Sequence, residues 1–316
     1  MKRRAFATWL AAPALAPLAA RAQELAAVRL IVPVPPGGTL DATARLVAQR
    51  WQSRGTQVIV ENRPGANMIV GAEVVARAAA DGSTLLFGST PLVLAHLLQK
   101  TSFQEDSLAP VIQVSEETFG LFSSGTGGIP SLESLAATAS RRARGLDCLA
   151  IPGAGEFACE QLKAAVGGAS TTVPFPGIAP ATTALIGGSG DVLFAPVAPL
   201  LPFMAAGKVR LLAVTDASGL PPEVRSAPPV LGDLWKGFVL EAFTGVFAPR
   251  GTPPARLAAI NSVLETILHE PEVVQAMRAS AQRIVGGSPA ILAERMRTAR
   301  ASYEALATQL LRPLPR

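Results

Sequence analysis

Short apolar runs alternate with stretches of helical periodicity along most of this chain, and that alternation constrains the fold more than any other feature. Val28–Val34 is followed by Leu40, Ala44, Val47 and Trp51 at helical spacing; Gln57–Val60 then reads as a strand, Val70–Ala79 as a helix and Thr84–Phe87 as a strand. The pattern resumes with strands over Leu146–Ile151, Val192–Phe194 and Val209–Val214, and a helix over Glu156–Val166. Strands separated by helices pair in parallel, so the sequence predicts an α/β fold built from βαβ units. Beyond residue 250 the chain reads as helices. Thr252-Pro253 supplies an N-cap and first-turn proline ahead of Leu257, Ile260, Leu264 and Ile267, and Pro271 restarts a short helix. Ser288-Pro289 opens a long one lined by Leu292, Met296, Ala299, Tyr303, Leu306 and Leu310, a stripe that fits core packing. No repeat of fixed period is present.

Phe119–Phe122 and Ala242–Phe247 are apolar, and each adjoins a Gly/Pro-rich stretch, at Ser123–Pro130 and Pro249–Pro254. One outbound and one returning segment suit two domains, residues 23–123 with 246–316 forming the first and 124–245 the second. A hinge of that kind lets the halves close over a ligand.

Residues 1–22 stand apart. Lys2-Arg3-Arg4 precedes an uncharged run from Ala5 to Ala20, and Ala20-Arg21-Ala22 has the small-x-small form that signal peptidase cuts. The expectation is a cleaved signal peptide, exported by Sec or, given Arg3-Arg4, by the twin-arginine route, and a periplasmic product. The formal net charge of +5 includes the four basic residues of this segment; without them 24 basic residues face 23 acidic ones. Nothing then resembles the basic stripe that nucleic-acid binding needs. No later run offers the ~20 apolar residues of a membrane span. The 49% hydrophobic content excludes intrinsic disorder.

Cys148 and Cys159 are the only cysteines, in a compartment where disulfides persist. A bridge needs Cα atoms within ~7 Å. The reading favours two buried thiols, with a disulfide as the alternative. Neither His96 nor His269 has ligand-like spacing to them, so no metal site is expected.

Pro33-Val-Pro-Pro-Gly-Gly-Thr-Leu-Asp41 joins the first strand to the first helix. Gly37 and Gly38 permit close approach of a ligand, and the helix start offers unpaired N–H groups to an anion. It is neither GxGxxG nor a P-loop, so no nucleotide cofactor is expected. A tight turn with Asp41 as a dipole-complementing acid explains the same residues equally well. Ile151-Pro-Gly-Ala-Gly155 repeats the design, and Gly88-Ser89-Thr90 adds hydroxyls at a third strand end. Three such loops converging on one cleft is the stronger argument. No GxSxG elbow and no HExxH is present, and both histidines read as structural or exposed, so an enzyme is not the expectation.

Several segments in order resemble the Bug (TctC) family, the periplasmic solute-binding receptors of tripartite tricarboxylate transporters. They are Val32–Asp41, Glu61-Asn-Arg-Pro-Gly-Ala66 with Gly71-Ala72, Ala80–Leu86, Asp106–Val111, Ala205–Val214 and Phe247–Pro253. The resemblance spans nearly the whole mature chain. It implies a two-domain Venus-flytrap architecture with crossover strands and a C-terminal helical segment, acting as a monomer without a cofactor. It also implies a small organic acid as ligand and the membrane subunits of a transporter as partner. Mapped onto this chain, the carboxylate-binding loop is Pro35, Pro36, Gly37, Gly38, Thr39 and Leu40, with Asp41 opening the helix. Ser89 and Thr90 match the polar residues after the third strand; Gly153, Ala154 and Gly155 match the second-domain loop. Phe175 and Asp191 fall where the family has its cleft aromatic and strand-opening Asp; Asp191 also reads as a plain turn residue.

Departures bear on the ligand. Val34 stands where the family often has Phe, Leu40 where it has a small polar residue, Asn67-Met68-Ile69 in place of Gly-Gly-Asn, and Phe175-Pro176 in place of Tyr and a basic residue. The expected ligand is therefore a monocarboxylate with an apolar or aromatic body rather than citrate. Two other outputs fit the same pocket: signalling to a membrane kinase, and periplasmic catalysis.

Overall fold

The computed structural model describes residues 27–98, 101, 103–151, 153–167, 170–217, 220, 221, 224, 229–236, 238 and 240–310; the expected signal segment lies outside them. The chain runs β1 (Ala27–Val32), α1 (Thr39–Gln52), β2 (Gln57–Asn62), α2 (Ile69–Ala76), β3 (Thr84–Ser89), α3 (Pro91–Leu98), β4 (Leu108–Glu117), β5 (Phe119–Ser124), α4 (Glu133–Arg141), β6 (Leu146–Ala150) and α5 (Ala154–Ala165). It continues through β7 (Ser170–Pro174), α6 (Ile178–Ile186), β8 (Val192–Pro196), α7 (Leu201–Ala205), β9 (Val209–Val214) and α8 (Leu231–Leu234). The last elements are β10 (Phe243–Pro249), α9 (Pro254–Leu268), α10 (Pro271–Ala279), β11 (Gln282–Gly286) and α11 (Pro289–Leu310).

The strands form two sheets, ordered β11-β4-β10-β3-β1-β2 and β7-β6-β8-β5-β9. β1 pairs in parallel with β2 and β3, and β6 with β7 and β8. β10 is antiparallel to β3 and β4, and β5 is antiparallel to β8 and β9. Helices cover both faces of the first sheet, which is why its central strands read as unbroken apolar runs. On one face Val28, Leu30, Val32 and Phe87 pack with Ala44, Val47 and Trp51 of α1. On the other, Ile31, Leu86 and Phe247 meet Leu292, Ala299 and Tyr303 of α11. The second sheet has its own core, with Leu121, Leu149 and Phe194 against Leu162 and Leu185.

Only Thr118 separates β4 in the first sheet from β5 in the second. The expected domain limits shift accordingly: Phe119–Ser123 lies in the second sheet, and Phe243–Gly245 already belongs to β10 in the first. Both apolar runs continue straight through the junctions, so composition does not mark where one sheet ends. The Glu117 N–H donates to Ala242 O at 2.9 Å, the Thr118 N–H to Ala281 O at 3.4 Å and the Val197 N–H to Thr118 O at 3.0 Å, joining the crossover to both sheets.

Three further expectations change. Cys148 and Cys159 form a disulfide with Cα atoms 5.7 Å apart, because α5 folds back over the strand it follows. β11 interrupts the region read as wholly helical: five residues between helices carry too little periodicity to register, and pairing with β4 makes them a strand. Thr252 does not cap α9; its hydroxyl donates to Pro249 O at 2.8 Å, and Pro254 opens the helix.

Candidate functional site

β4 is antiparallel to β10 and β10 to β3, so the C-terminal ends of β1, β2, β3 and β4 share one edge. β5 enters the second sheet beside the C-terminal ends of β8 and β9: Phe119 pairs with Pro196, and the Thr215 N–H donates to Phe119 O at 2.9 Å. The two edges therefore face each other across Thr118, and the loops leaving both converge. Open α/β sheets bind ligands at this edge. The two sides touch here: a Cβ on Gly153 would stand 3.3 Å from Pro91 Cγ, and the Phe157 ring lies 5.1 Å from that of Tyr303.

In the first loop Pro35, Pro36, Gly37 and Gly38 are exposed and Thr39 half-buried. Gly37 has φ +94°, open to glycine at little cost, and Gly38 is the N-cap of α1 with no side chain bonded to the helix start. The first turn of this fourteen-residue helix therefore has no side-chain cap from its N-cap residue. The Leu40 side chain is turned into the core, buried in the cluster that holds Ala44 and Val47.

Asp41 does not face outward, as its expected ligand role would require. Its buried carboxylate accepts from the Gly37 N–H at 2.9 Å, Asn62 Nδ2 at 2.8 Å and Arg45 Nε at 3.0 and 3.1 Å. Burial opposes its ionisation, but the bonds from Arg45, Asn62 and Gly37 outweigh it and hold the carboxyl below its usual value. Asn62 also donates to Val34 O at 3.0 Å and accepts from Arg45 Nη2 at 2.8 Å. The sequence reading missed Asn62 and Arg45 as the braces of this loop. The distinctive Glu61–Ala66 segment was the available signal.

Ser89 ends β3 half-buried, with its hydroxyl directed at Met68 Sδ, 3.6 Å away. Thr90 is buried and committed to the fold: its Oγ1 accepts from the Phe243 N–H at 2.9 Å, and its N–H donates to Phe243 O at 3.2 Å. In the facing loop, Gly153 has φ +82° and forms the N-cap of α5, its N–H 3.4 Å from Glu156 Oε2. Ala154 and Gly155 are buried, and a Cβ on Gly155 would come within 2.8 Å of Ile151 Cγ1. Phe175 stands half-buried at the end of β7, its N–H donating to Ala150 O at 2.9 Å.

Asp191 is at the wrong end of its strand. β8 runs parallel to β6, so the residue before β8 lies about 16 Å, one five-residue strand, from the edge that carries Gly153. There it accepts from the Asp147 N–H at 2.9 Å and pairs with Arg142 and Arg144, pinning the far edge of the sheet.

The structure adds Glu117 and Thr244, which the sequence reading did not single out. Glu117 ends β4, where the Thr244 hydroxyl donates to its Oε1 at 3.4 Å, and loss of hydration pushes its carboxyl up to about 7. With Thr118, Thr215, Asp216 and Arg295 it lines a cavity of about 140 Å³ at the crossover. The strand-end loops 33–40, 63–68, 88–91, 151–155, 174–178 and 196–198 hold one basic residue, Arg63, which is paired with Glu61, while Arg283 and Arg295 line the crossover cavity and pair with Glu116 and Glu241. His269 is exposed, with Nδ1 2.8 Å from Glu265 O, while the His96 side chain lies outside the described residues.

The chain matches the tripartite tricarboxylate transporter family receptor, TctC, over residues 43–288. The UPF0065 protein in the tcbD-tcbE intergenic region of Pseudomonas sp. strain P51 is 32% identical over 287 residues, 87% of this chain and 84% of that protein. BugT of Bordetella pertussis is 30% identical over 295 residues, 87% and 86% of the two chains. Among solved structures, R. palustris Rpa4515 with adipate has a TM-score of 0.81 at 26% identity, covering 90% of this chain and 96% of that one. MatC of Rhodopseudomonas palustris with bound malate has a TM-score of 0.76 at 27% identity, covering 89% and 98%.

Proposed function

The chain belongs to the TctC family of tripartite tricarboxylate transporter receptors, and from that premise we propose that it captures a small carboxylate between two lobes in the periplasm and hands it to the membrane subunits of such a transporter. The lobes are residues 27–117 with 243–310, and residues 119–242. The carboxylate sits at the N-terminus of α1, held by the N–H groups of Gly38, Thr39 and Leu40, with Gly153, Ala154 and Phe175 closing from the other side. Asp41, Asn62 and Arg45 shape the first loop without touching the solute.

The observation that carries this reading is the uncapped start of α1 at the edge where the two sets of loops meet. Helix dipole and free N–H groups together favour an anion there. With Arg63 paired to Glu61, and Arg283 and Arg295 at the crossover paired to Glu116 and Glu241, a second carboxylate meets no uncommitted cation among these residues. The solute is accordingly one whose body beyond the carboxyl is apolar. The relatives with adipate and with malate make the carboxylate class the natural starting point.

A thermal-shift panel on the chain from Gln23 onward tests this, using hexanoate, benzoate, adipate, malate and citrate. A ligand at a hundred times its Kd adds about 2.7 kcal/mol, an easily read shift. Selective stabilisation by hexanoate or benzoate is expected. A citrate shift above every monocarboxylate would overturn the apolar-body assignment. No shift at all, with no co-purified acid released on denaturation, would overturn the receptor reading.

A further inference from the structure

The loop after β2 contains the densest departure from ordinary backbone geometry among the described residues. Ala66, Asn67 and Met68 follow one another at φ +47°, +50° and +76°, and none is glycine. Side chains other than glycine adopt this left-handed region at a cost, least for Asn, and such a run persists only where its surroundings hold it. The Ile69 N–H donates to Ala66 O and the Ala72 N–H to Met68 O, both at 3.1 Å. Gly71 seats α2 directly against the first loop, since a Cβ there would come within 2.8 Å of Pro33 Cβ.

Met68 is what the strained turn positions. Its half-buried side chain packs against the apolar clusters on both faces of the first sheet. A side chain that reaches both faces stands over the end of the sheet. The Ser89 hydroxyl, 3.6 Å from Sδ, identifies that end as the one carrying the strand-end loops. Met68 thus engages a hydroxyl at the end of β3 and lays a polarizable, adaptable thioether over the floor of the cleft.

We propose that Met68 is the specificity-determining residue of this cleft: its thioether takes the Ser89 hydroxyl away from the solute and selects a carboxylate with an apolar chain over a hydroxylated one. This rests on the reading that the cleft is the solute site, and it assigns the preference to one side chain. Glycine accepts φ +76° without strain, so Met68→Gly removes the thioether while relaxing the turn. Met68→Leu keeps the bulk and the strain.

The test is calorimetric titration of wild type, M68G and M68L with hexanoate and with malate. Wild type should prefer hexanoate. M68G should shift the hexanoate-to-malate affinity ratio about tenfold toward malate, the scale of one apolar contact in a pocket, whereas M68L should keep the wild-type preference. A ratio unchanged in M68G, with wild type still binding, overturns the role of Met68 and leaves the receptor reading standing. Wild type that binds neither acid removes both. Peroxide footprinting of wild type is independent of whether M68G folds: hexanoate should protect Met68 from oxidation and leave Met204 on α7 unaffected. Equal oxidation of Met68 with and without a bound acid overturns the proposal.

Discussion

Asp41 and Glu117 are carboxyls near one edge of the first sheet, and their surroundings drive them in opposite directions. Asp41 is held below its ordinary 3.8, so its contribution to stability is present above that value and is lost as pH falls through the depressed one. Glu117 is raised from 4.5 to about 7 by loss of hydration. The native state therefore binds this proton more tightly than the unfolded chain. Stability from this group is full below 4.5 and declines as pH rises, by on the order of 3 kcal/mol once pH passes 7. Glu117→Gln should flatten that decline; a urea midpoint that changes with pH between 4.5 and 7 as in wild type would refute the assignment. Asp41→Ala should cost about 1–3 kcal/mol, since it removes at once the acceptor shared by the Gly37 N–H, the Asn62 amide and Arg45. An unfolding midpoint within experimental error of wild type would show that the loop does not need its brace. Asp41 was legible as a first-turn acid because the helix start was legible. Its inward orientation was not, because its partner Asn62 comes from another strand.

At the scale of elements, the disulfide ties β6 to α5, the strand and helix that frame the Gly153 turn. Closing a loop of sequence separation 11 removes chain entropy from the unfolded state, worth about 3 kcal/mol in the loop-entropy account. Reduction, or Cys148→Ser with Cys159→Ser, should lower the melting temperature accordingly. An equal melting temperature with and without reductant would argue that the bridge contributes nothing. The elements that read well in sequence were those whose pattern is local. β1, α1, β3 and α11 carry their periodicity within their own residues, and Gly37 and Gly153 mark turns whose φ values call for glycine. β11 and the disulfide were illegible for the complementary reason. Each depends on a partner element that docks beside it.

Across the whole molecule, Phe157 of α5, the helix following a strand of the second sheet, rests on the buried Tyr303 of α11, which packs on the first. The Tyr303 hydroxyl is itself tied to the backbone of Glu241, within hydrogen-bond reach of its N–H and O at 3.1 Å, just before the chain returns to the first sheet. Aromatic pairs add roughly 0.5–1.5 kcal/mol beyond burial. Phe157→Ala should therefore weaken carboxylate affinity about three- to tenfold and enlarge the ligand-free molecule in small-angle scattering. Unchanged affinity and dimensions would show that the contact plays no part in holding the lobes together. By itself the sequence determined the α/β class, the glycine turns and the family, since periodicity, turn stereochemistry and segment order are properties of neighbours along the chain. Which way the Asp41 carboxylate turns, where the chain crosses at Thr118, and that the Ser89 hydroxyl meets the Met68 thioether were decided only by tertiary structure. Those depend on which strand ends share an edge, and that is set when distant segments pack.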